Sequence, residues 1–485
     1  VQGQIYFYDI GDYLAREEKL SIIAQFGSIA GLAKAKGWQK VTPDEHGDWL
    51  KQRDVSFDAF IAIGDKSGSE PRALFENYSS GLKTQRDAWC FNSSRENLAR
   101  NVEAMIGFYG AELDRFDATY PRSDRKARDG SVDDFINTDP SRISWTRALR
   151  SDLVKGKRFA FDARCLTPSL YRPFTRQWLY FNRSLNEMVY QMPRIFPDAL
   201  AHNRVIMVKQ RPADDSHLAL MVDCIPELQT DGGTQCFPRY LYSGADEAED
   251  SDGQGDMLAA GASNTKGPRR RDAITDEGLA HFQAAYPGQS ITKDDLFYYV
   301  YAVLHSEDYR SRFADNLSKQ LPRIPAVKNV ADFLDFVAAG RKLADLHCDY
   351  EAVEPYPVSI AQGDLRLTNI SDPQALYRVE KMKFGGKRPN VDKTTVIYNG
   401  NITMTGIPLE AYDYVVNGKP ALEWVMERQC VKTDKDSGIV NDANRYAVET
   451  VGDPAYPLKL FQRVITVSLE TLKIVKGLPA MGGMA

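Results

Sequence analysis

The spacing of apolar positions divides the chain into an α/β start, a polar middle and a helix-rich stretch that gives way to strands. Gln4-Ile5-Tyr6-Phe7-Tyr8 is rich in β-formers. Asp12 is placed to cap a helix with apolar positions at Leu14, Leu20, Ile23 and Phe26. Phe57 to Ile63 reads as a second strand, closed by the turn cluster Gly64-Asp65-Lys66-Ser67-Gly68. Strand, helix and strand fit part of an α/β sheet, too short for a complete doubly wound domain. Pro121 to Gly130 is polar and basic and reads as a solvated loop or boundary. Ser243 to Arg271 lacks β-branched and aromatic residues apart from Thr265, so it is expected to be a mobile insertion.

Beyond it the helical period returns. Thr292 and Asp295 have capping-box spacing, followed by Leu296, Tyr299/Val300 and Val303/Leu304 on one face. Ser306 opens a helix with Tyr309, Phe313 and Leu317 at four-residue steps, stopped by Leu321-Pro322-Arg323-Ile324-Pro325. Asp332 to Leu346 forms a third helix. Thr394 to Tyr398 and Ile402 to Met404 then read as a hairpin about Asn399-Gly400, and Leu458 to Val475 as an amphipathic C-terminal helix. No internal repeat is present.

At 485 residues, 43% hydrophobic and 26% charged, the chain has material for two to four globular domains. No apolar run approaches the ~18–20 residues that span a bilayer, and Val1-Gln2-Gly3-Gln4 is no signal peptide. The start without Met reads as a fragment of a longer protein, and a cytoplasmic location is expected. The six cysteines lack any Cys-x-x-Cys pair, which argues against zinc. A net charge of −5 excludes a generally basic coat but not a local basic cleft.

Catalytic constellations are missing. Asp453-Pro454-Ala455-Tyr456 has an outline of the tetrapeptide with which amino-methyltransferases grip a flipped base, but Ala455 replaces a proline and no strand precedes it. Glu17-Glu18-Lys19, with Asp9 and Asp12, has the composition of a Mg-nuclease site but sits on an expected helix. Phe384-Gly385-Gly386-Lys387 lacks phosphate-loop spacing, and the six histidines lack metal spacing.

Three segments instead mix cations with aromatics or amides. Lys83, Thr84 and Arg86, in a loop begun by Gly81, offer donors to phosphate or bases; a charged hairpin with Arg86 satisfied locally is the competing reading. Arg172 and Arg176, with Gln177, suit guanine and adenine edges, though Arg172 equally suits a buried structural role. Lys381, Lys383, Lys387 and Arg388, continuing to Lys393, would neutralise phosphates around a glycine pair, or form a solvated loop. Lys209 and Arg211 are a weaker pair, and Lys266 to Arg271 a non-specific cluster.

These stretches resemble the C-terminal part of Type ISP restriction–modification enzymes. Tyr8–Leu14 with Arg16–Leu20, Tyr78–Trp89, Tyr171–Phe174, Phe297–Tyr301, Leu321–Pro325, Gly340–His347, Glu423–Arg428 and Ser437–Asp442 carry the likeness in order. The resemblance implies a mixed α/β (α+β) fold. Residues 1–110 would be the end of a Rossmann-like adenine-N6 methyltransferase lobe. Residues 111–330 and 331–485 would be two lobes of a target-recognition domain, with 243–271 an insertion. It implies double-stranded DNA and the rest of the parent polypeptide as partners, and no membrane. No cofactor is expected in this chain; S-adenosylmethionine, ATP and Mg would belong to the parent enzyme, whose relatives are often labelled helicases. Two other readings stay open: a coupler that docks neighbouring domains, and a methyltransferase with unrecognised motifs.

Overall fold

The computed structural model describes residues 3–209, 219–230, 232–243, 269–360 and 371–481. It is a mixed α/β architecture of several small sheets, as expected. Ile5–Phe7 pairs antiparallel with Gln39–Val41. Between them lies α1 (Arg16–Phe26), which starts later than the sequence suggested. Its N-cap is Ala15, whose N–H donates to the Glu18 carboxylate at 2.7 Å, leaving Leu14 outside and Asp12 uninvolved. α1 buries none of its residues, and Leu20 and Ile23 are exposed. Tyr13, Ile29, Trp49 and Val55 are exposed too, so this N-terminal unit leaves several large apolar side chains at its surface.

The first buried strand is Ile61–Gly64, shorter than the Phe57–Ile63 run because Val55–Ala59 forms a 3-10 turn capped by Asp54. It pairs parallel with Ala73–Phe75 and antiparallel with Arg323–Ile324, so the chain returns from beyond residue 320 to complete this sheet. Two four-stranded sheets are likewise built from both sides of residue 110. In one, Ser79–Ser80 lies beside Thr234–Pro238, Val205–Lys209 and Ala219–Val222. In the other, Phe91–Asn92 edges the hairpin of β1 (Leu166–Arg172) and β2 (Thr175–Tyr180). The main core runs from Phe57 to Met481 across both expected boundaries, 110 and 330.

A second core lies under α2 (Arg95–Thr119), α3 (Arg125–Phe135) and α4 (Arg147–Val154). Most of the expected Pro121–Gly130 loop is here the start of α3. Asp124 caps it by accepting from Ala127 N at 3.0 Å, and Arg128 is fully buried. Its guanidinium donates to Val154 O (2.8 Å), Leu153 O (3.0 Å), Tyr120 O (2.6 Å) and Asp117 Oδ1 (2.7 Å). A polar-looking residue here serves as the tie between three helices, because those terminal carbonyls have no helical partners.

The later helices form where expected, with one broken and others longer. α5 (Lys293–His305) carries the Thr292–Asp295 capping box and packs along α6 (Val330–Cys348). Gly340 makes that approach possible, since a Cβ there would stand 2.0 Å from Tyr298 O. The helix opened by Ser306 ends at Arg312, and Ala314–Leu317 follows as a separate turn. A last sheet, ordered Ser359–Ile360, Thr403–Thr405, β4 (Asn390–Ile397), β3 (Lys383–Lys387), lies near α7 (Ala421–Arg428). The chain closes with α8 (Tyr456–Lys476), longer at its start than expected. Its first residue, Tyr456, is buried, so the Asp453–Tyr456 tetrapeptide is a helix entry. The expected insertion lies outside the described residues over 244–268. Its flanks are paired strands, Tyr240–Ser243 with Arg269–Asp272. No helix among the described residues is long and apolar enough to cross a membrane.

Candidate nucleic-acid interface

The three basic segments meet different fates. The Gly81 segment is a seam between sheets rather than a loop. Leu82 N–H donates to Pro226 O at 2.9 Å, and Lys83 and Met188 exchange backbone hydrogen bonds at 3.0 and 2.9 Å. Gly81 is required, because a Cβ would stand 2.8 Å from Leu228 Cα. Thr84 and Arg86 are therefore corrected as DNA contacts: both are buried. The Thr84 hydroxyl serves Asp87, and the Arg86 guanidinium donates to Leu185 O (3.1 Å) and Thr146 Oγ1 (2.7 Å). Lys83 is half-buried and has no side-chain partner among the described residues.

The two arginines of the β1–β2 hairpin are also held internally. Arg172 donates to Glu227 Oε2 at 2.6 Å and lies 4.1 Å from the Tyr171 ring centre. Arg176 donates to both Asp223 oxygens at 2.8 and 3.0 Å and to Cys348 O at 3.1 Å, with Glu351 at 3.5 Å. Both guanidiniums are ion-paired within the protein, so neither is the open base reader the sequence offered. Lys209 is half-buried at the end of a strand, and Arg211 lies outside the described residues. Within the Lys266–Arg271 cluster, Lys266–Pro268 lie outside the described residues, and Arg271 is paired with Glu76 (Nη2 to Oε1, 2.6 Å).

Glu227 is buried, and that burial pushes its carboxyl up to about 7, with Arg172 acting in the opposite direction. The folded value exceeds the ordinary 4.5, so the stability the group contributes at low pH is lost as pH rises from about 4.5 to about 7. Arg172→Ala removes the opposing charge and lifts the carboxyl further. Its destabilisation, read by urea unfolding, should be smallest near pH ~5 and should grow above pH ~7 by about 1.4 kcal/mol per unit. A deficit independent of pH would contradict the pairing.

The third segment keeps its charges at the surface. β3 and β4 form an antiparallel ribbon whose register runs Lys387↔Asn390, Gly386↔Val391 and Gly385↔Asp392, then jumps to Phe384↔Val396. Lys393, Thr394 and Thr395 are thereby looped out, and such a bulge re-aims the outer part of a ribbon. Gly386 is left-handed (φ +71°), and a Cβ there would stand 2.4 Å from Asn390 O. Lys381, Lys383, Lys387 and Arg388 are exposed, with no ion pair or side-chain hydrogen bond among the described residues. Lys393 differs: it pairs with Glu423 at 2.9 Å and lies 5.5 and 5.4 Å from the Phe384 and Tyr412 ring centres. It roots the ribbon while its neighbours stay free. The ribbon overhangs an open cleft of about 670 Å³, floored by Met426 and flanked by Lys419.

A smaller cavity of about 140 Å³ shares Glu427 with that cleft. Asp87, Tyr171, Arg428 and Asn441 line it. Four of the stretches that carry the family resemblance meet there, a convergence that spacing along the chain did not signal. The only group among the described residues close enough to share a metal is Glu45, His46 and Asp58, all exposed. Asp9, Asp12 and Glu17–Lys19 do not gather into one.

A family model described as the Type ISP C-terminal specificity domain matches residues 73–460. Among solved structures, the chain is 34% identical to a nuclease-deletion mutant of the Type ISP restriction–modification enzyme LlaGI in complex with a DNA substrate mimic. The TM-score is 0.80, over 99% of this chain and 40% of that one. It is 31% identical to the ATP-dependent Type ISP enzyme LlaBIII bound to DNA (TM-score 0.81, 100% and 28% covered). It is also 31% identical to DrdV in a DrdV–DNA complex (0.76, 98% and 43%). The chain thus spans less than half the length of these structures. No curated protein matches it. With four-fifths of its length under one family model, the chain belongs to the Type ISP C-terminal specificity domain family.

Proposed function

We propose that this chain is the part of a restriction–modification enzyme that recognises a target sequence in double-stranded DNA, and that it is not catalytic alone. The observation that carries the reading is the family assignment, supported by two similar structures with DNA and one with a DNA substrate mimic. The free cations of Lys381–Arg388 supply the electrostatic footing such binding needs, despite a net charge of −5. In the whole enzyme, S-adenosylmethionine, ATP and Mg would be bound by other domains, and the cytoplasm would be its place of action. Residues 1–72 precede the matched region. Their exposed Tyr13, Ile29 and Trp49 suit a surface packed against the rest of the methyltransferase lobe, of which residues 1–110 would be the end.

Titrating the chain into a labelled mixed-sequence duplex tests this reading. Affinity should fall steeply between 50 and 200 mM salt, by roughly tenfold for every two phosphates neutralised. Absent or salt-insensitive binding would reject it.

A further inference from the structure

The β3–β4 ribbon carries more than charge at its tip. The turn that joins the two strands is Arg388-Pro389, flanked by the paired Lys387 and Asn390. All four residues are exposed. A two-stranded ribbon is one of two elements that fit the ~12 Å major groove of B-DNA. Arginine reaches both guanine acceptors there, and asparagine matches the adenine donor–acceptor pair. Lysines at the flanks of such a ribbon face the phosphate walls.

The finger is also set rigidly. At its root, Phe384 packs 5.8 Å from Tyr412, and Tyr412 Oη donates to Lys393 O at 2.9 Å. Gly385 lies so close to Thr395 that a Cβ would stand 2.9 Å from it. Asp392, an acid near the tip, is turned back to accept from Thr394 N (2.9 Å) and Thr394 Oγ1 (2.6 Å). It therefore does not neutralise Arg388. Lysines on an edge strand also serve to block edge-to-edge pairing. That explanation accounts for Lys383 and Lys387 on β3 but not for an unpartnered Arg-Pro-Asn tip.

We propose that the β3–β4 ribbon enters the major groove as the base-reading finger, with Arg388 directed to a guanine and Asn390 to an adenine. This rests on the DNA-recognition reading and goes beyond it by naming the residues that set specificity. Lys383 and Lys387 hold the backbone on either side and carry no sequence information.

Selection from a randomised duplex pool, run in parallel on the full chain and on three single variants, tests the assignment. Arg388→Ala should lose discrimination at one G·C position, by about tenfold to a hundredfold, with other positions of the site retained. Asn390→Ala should do the same at one A·T position. Lys387→Ala should weaken all sequences alike and lower the salt slope by about 0.9. Each variant alters an exposed turn, so its thermal midpoint should match that of the parent chain, which separates lost reading from lost folding. If the parent chain enriches a site and Arg388→Ala and Asn390→Ala enrich the same site unchanged, the finger does not read bases and the inference fails alone. If the parent chain neither enriches a site nor binds with salt dependence, the DNA-recognition reading fails with it.

Discussion

Arg128→Met should destabilise the protein by about 3–5 kcal/mol, the range for removing one partner of a buried charged network. Methionine fills much of the same volume but donates nothing. The carbonyls of Tyr120, Leu153 and Val154 lose the Arg128 donor inside the second core, at about 1–3 kcal/mol for each buried group left unpaired. Asp117 keeps Arg122, which donates to its Oδ2 at 2.6 Å, so the acid is not stranded. The guanidinium also stacks 4.5 Å from the Phe116 ring centre, which the variant loses. Urea unfolding followed by hydrogen exchange should show α2, α3 and α4 opening first, because their core is distinct from the main one. A change below about 1 kcal/mol would mean that solvent reaches these carbonyls.

Replacing Lys381, Lys383, Lys387 and Arg388 together by alanine should cut DNA affinity on the order of a hundredfold near ~0.1 M salt. It should also reduce the slope of log affinity against log salt by about three to four. Stability should hold, since none of the four side chains has a partner among the described residues to lose. Arg86→Ala is the informative contrast. The sequence placed Arg86 with the DNA contacts, yet its guanidinium ties Leu185 O to Thr146, the residue that caps α4. It should lower stability and leave the salt slope unchanged. A reversal of these two outcomes would overturn the assignment of the ribbon as the electrostatic contact.

Much of the fold was legible because its signals are local. The Thr292–Asp295 box, the Ser306 cap and the Asn399-Gly400 turn each act within a few residues of chain. What was lost depends on contacts from far away. Arg128 looks like part of a solvated run until the ends of two other helices and Asp117 supply its acceptors. Arg86 looks like a phosphate contact until residues 146 and 185 arrive beside it. The Asp12 cap failed because Ala15 and Glu18 close the helix end by a different pairing. For the site, residue type and clustering singled out three basic stretches but could not show that only the one over 381–388 keeps its charges exposed and without a partner among the described residues. Composition does not report pairing: Arg172 and Arg176 meet Glu227 and Asp223, whereas no acid among the described residues pairs with the Lys387 side chain. The cavity where Asp87, Tyr171, Arg428 and Asn441 gather was invisible for the same reason.

The central claim is that this specificity domain reads a DNA sequence. The most direct measurement is selection of the full chain against a randomised duplex pool at about 50 and 200 mM salt, with sequencing of the bound fraction. Enrichment of one short site at both salts, with total binding falling as salt rises, is the result the account predicts. Binding that falls with salt yet enriches no sequence would contradict it, leaving a basic surface that holds DNA without reading it.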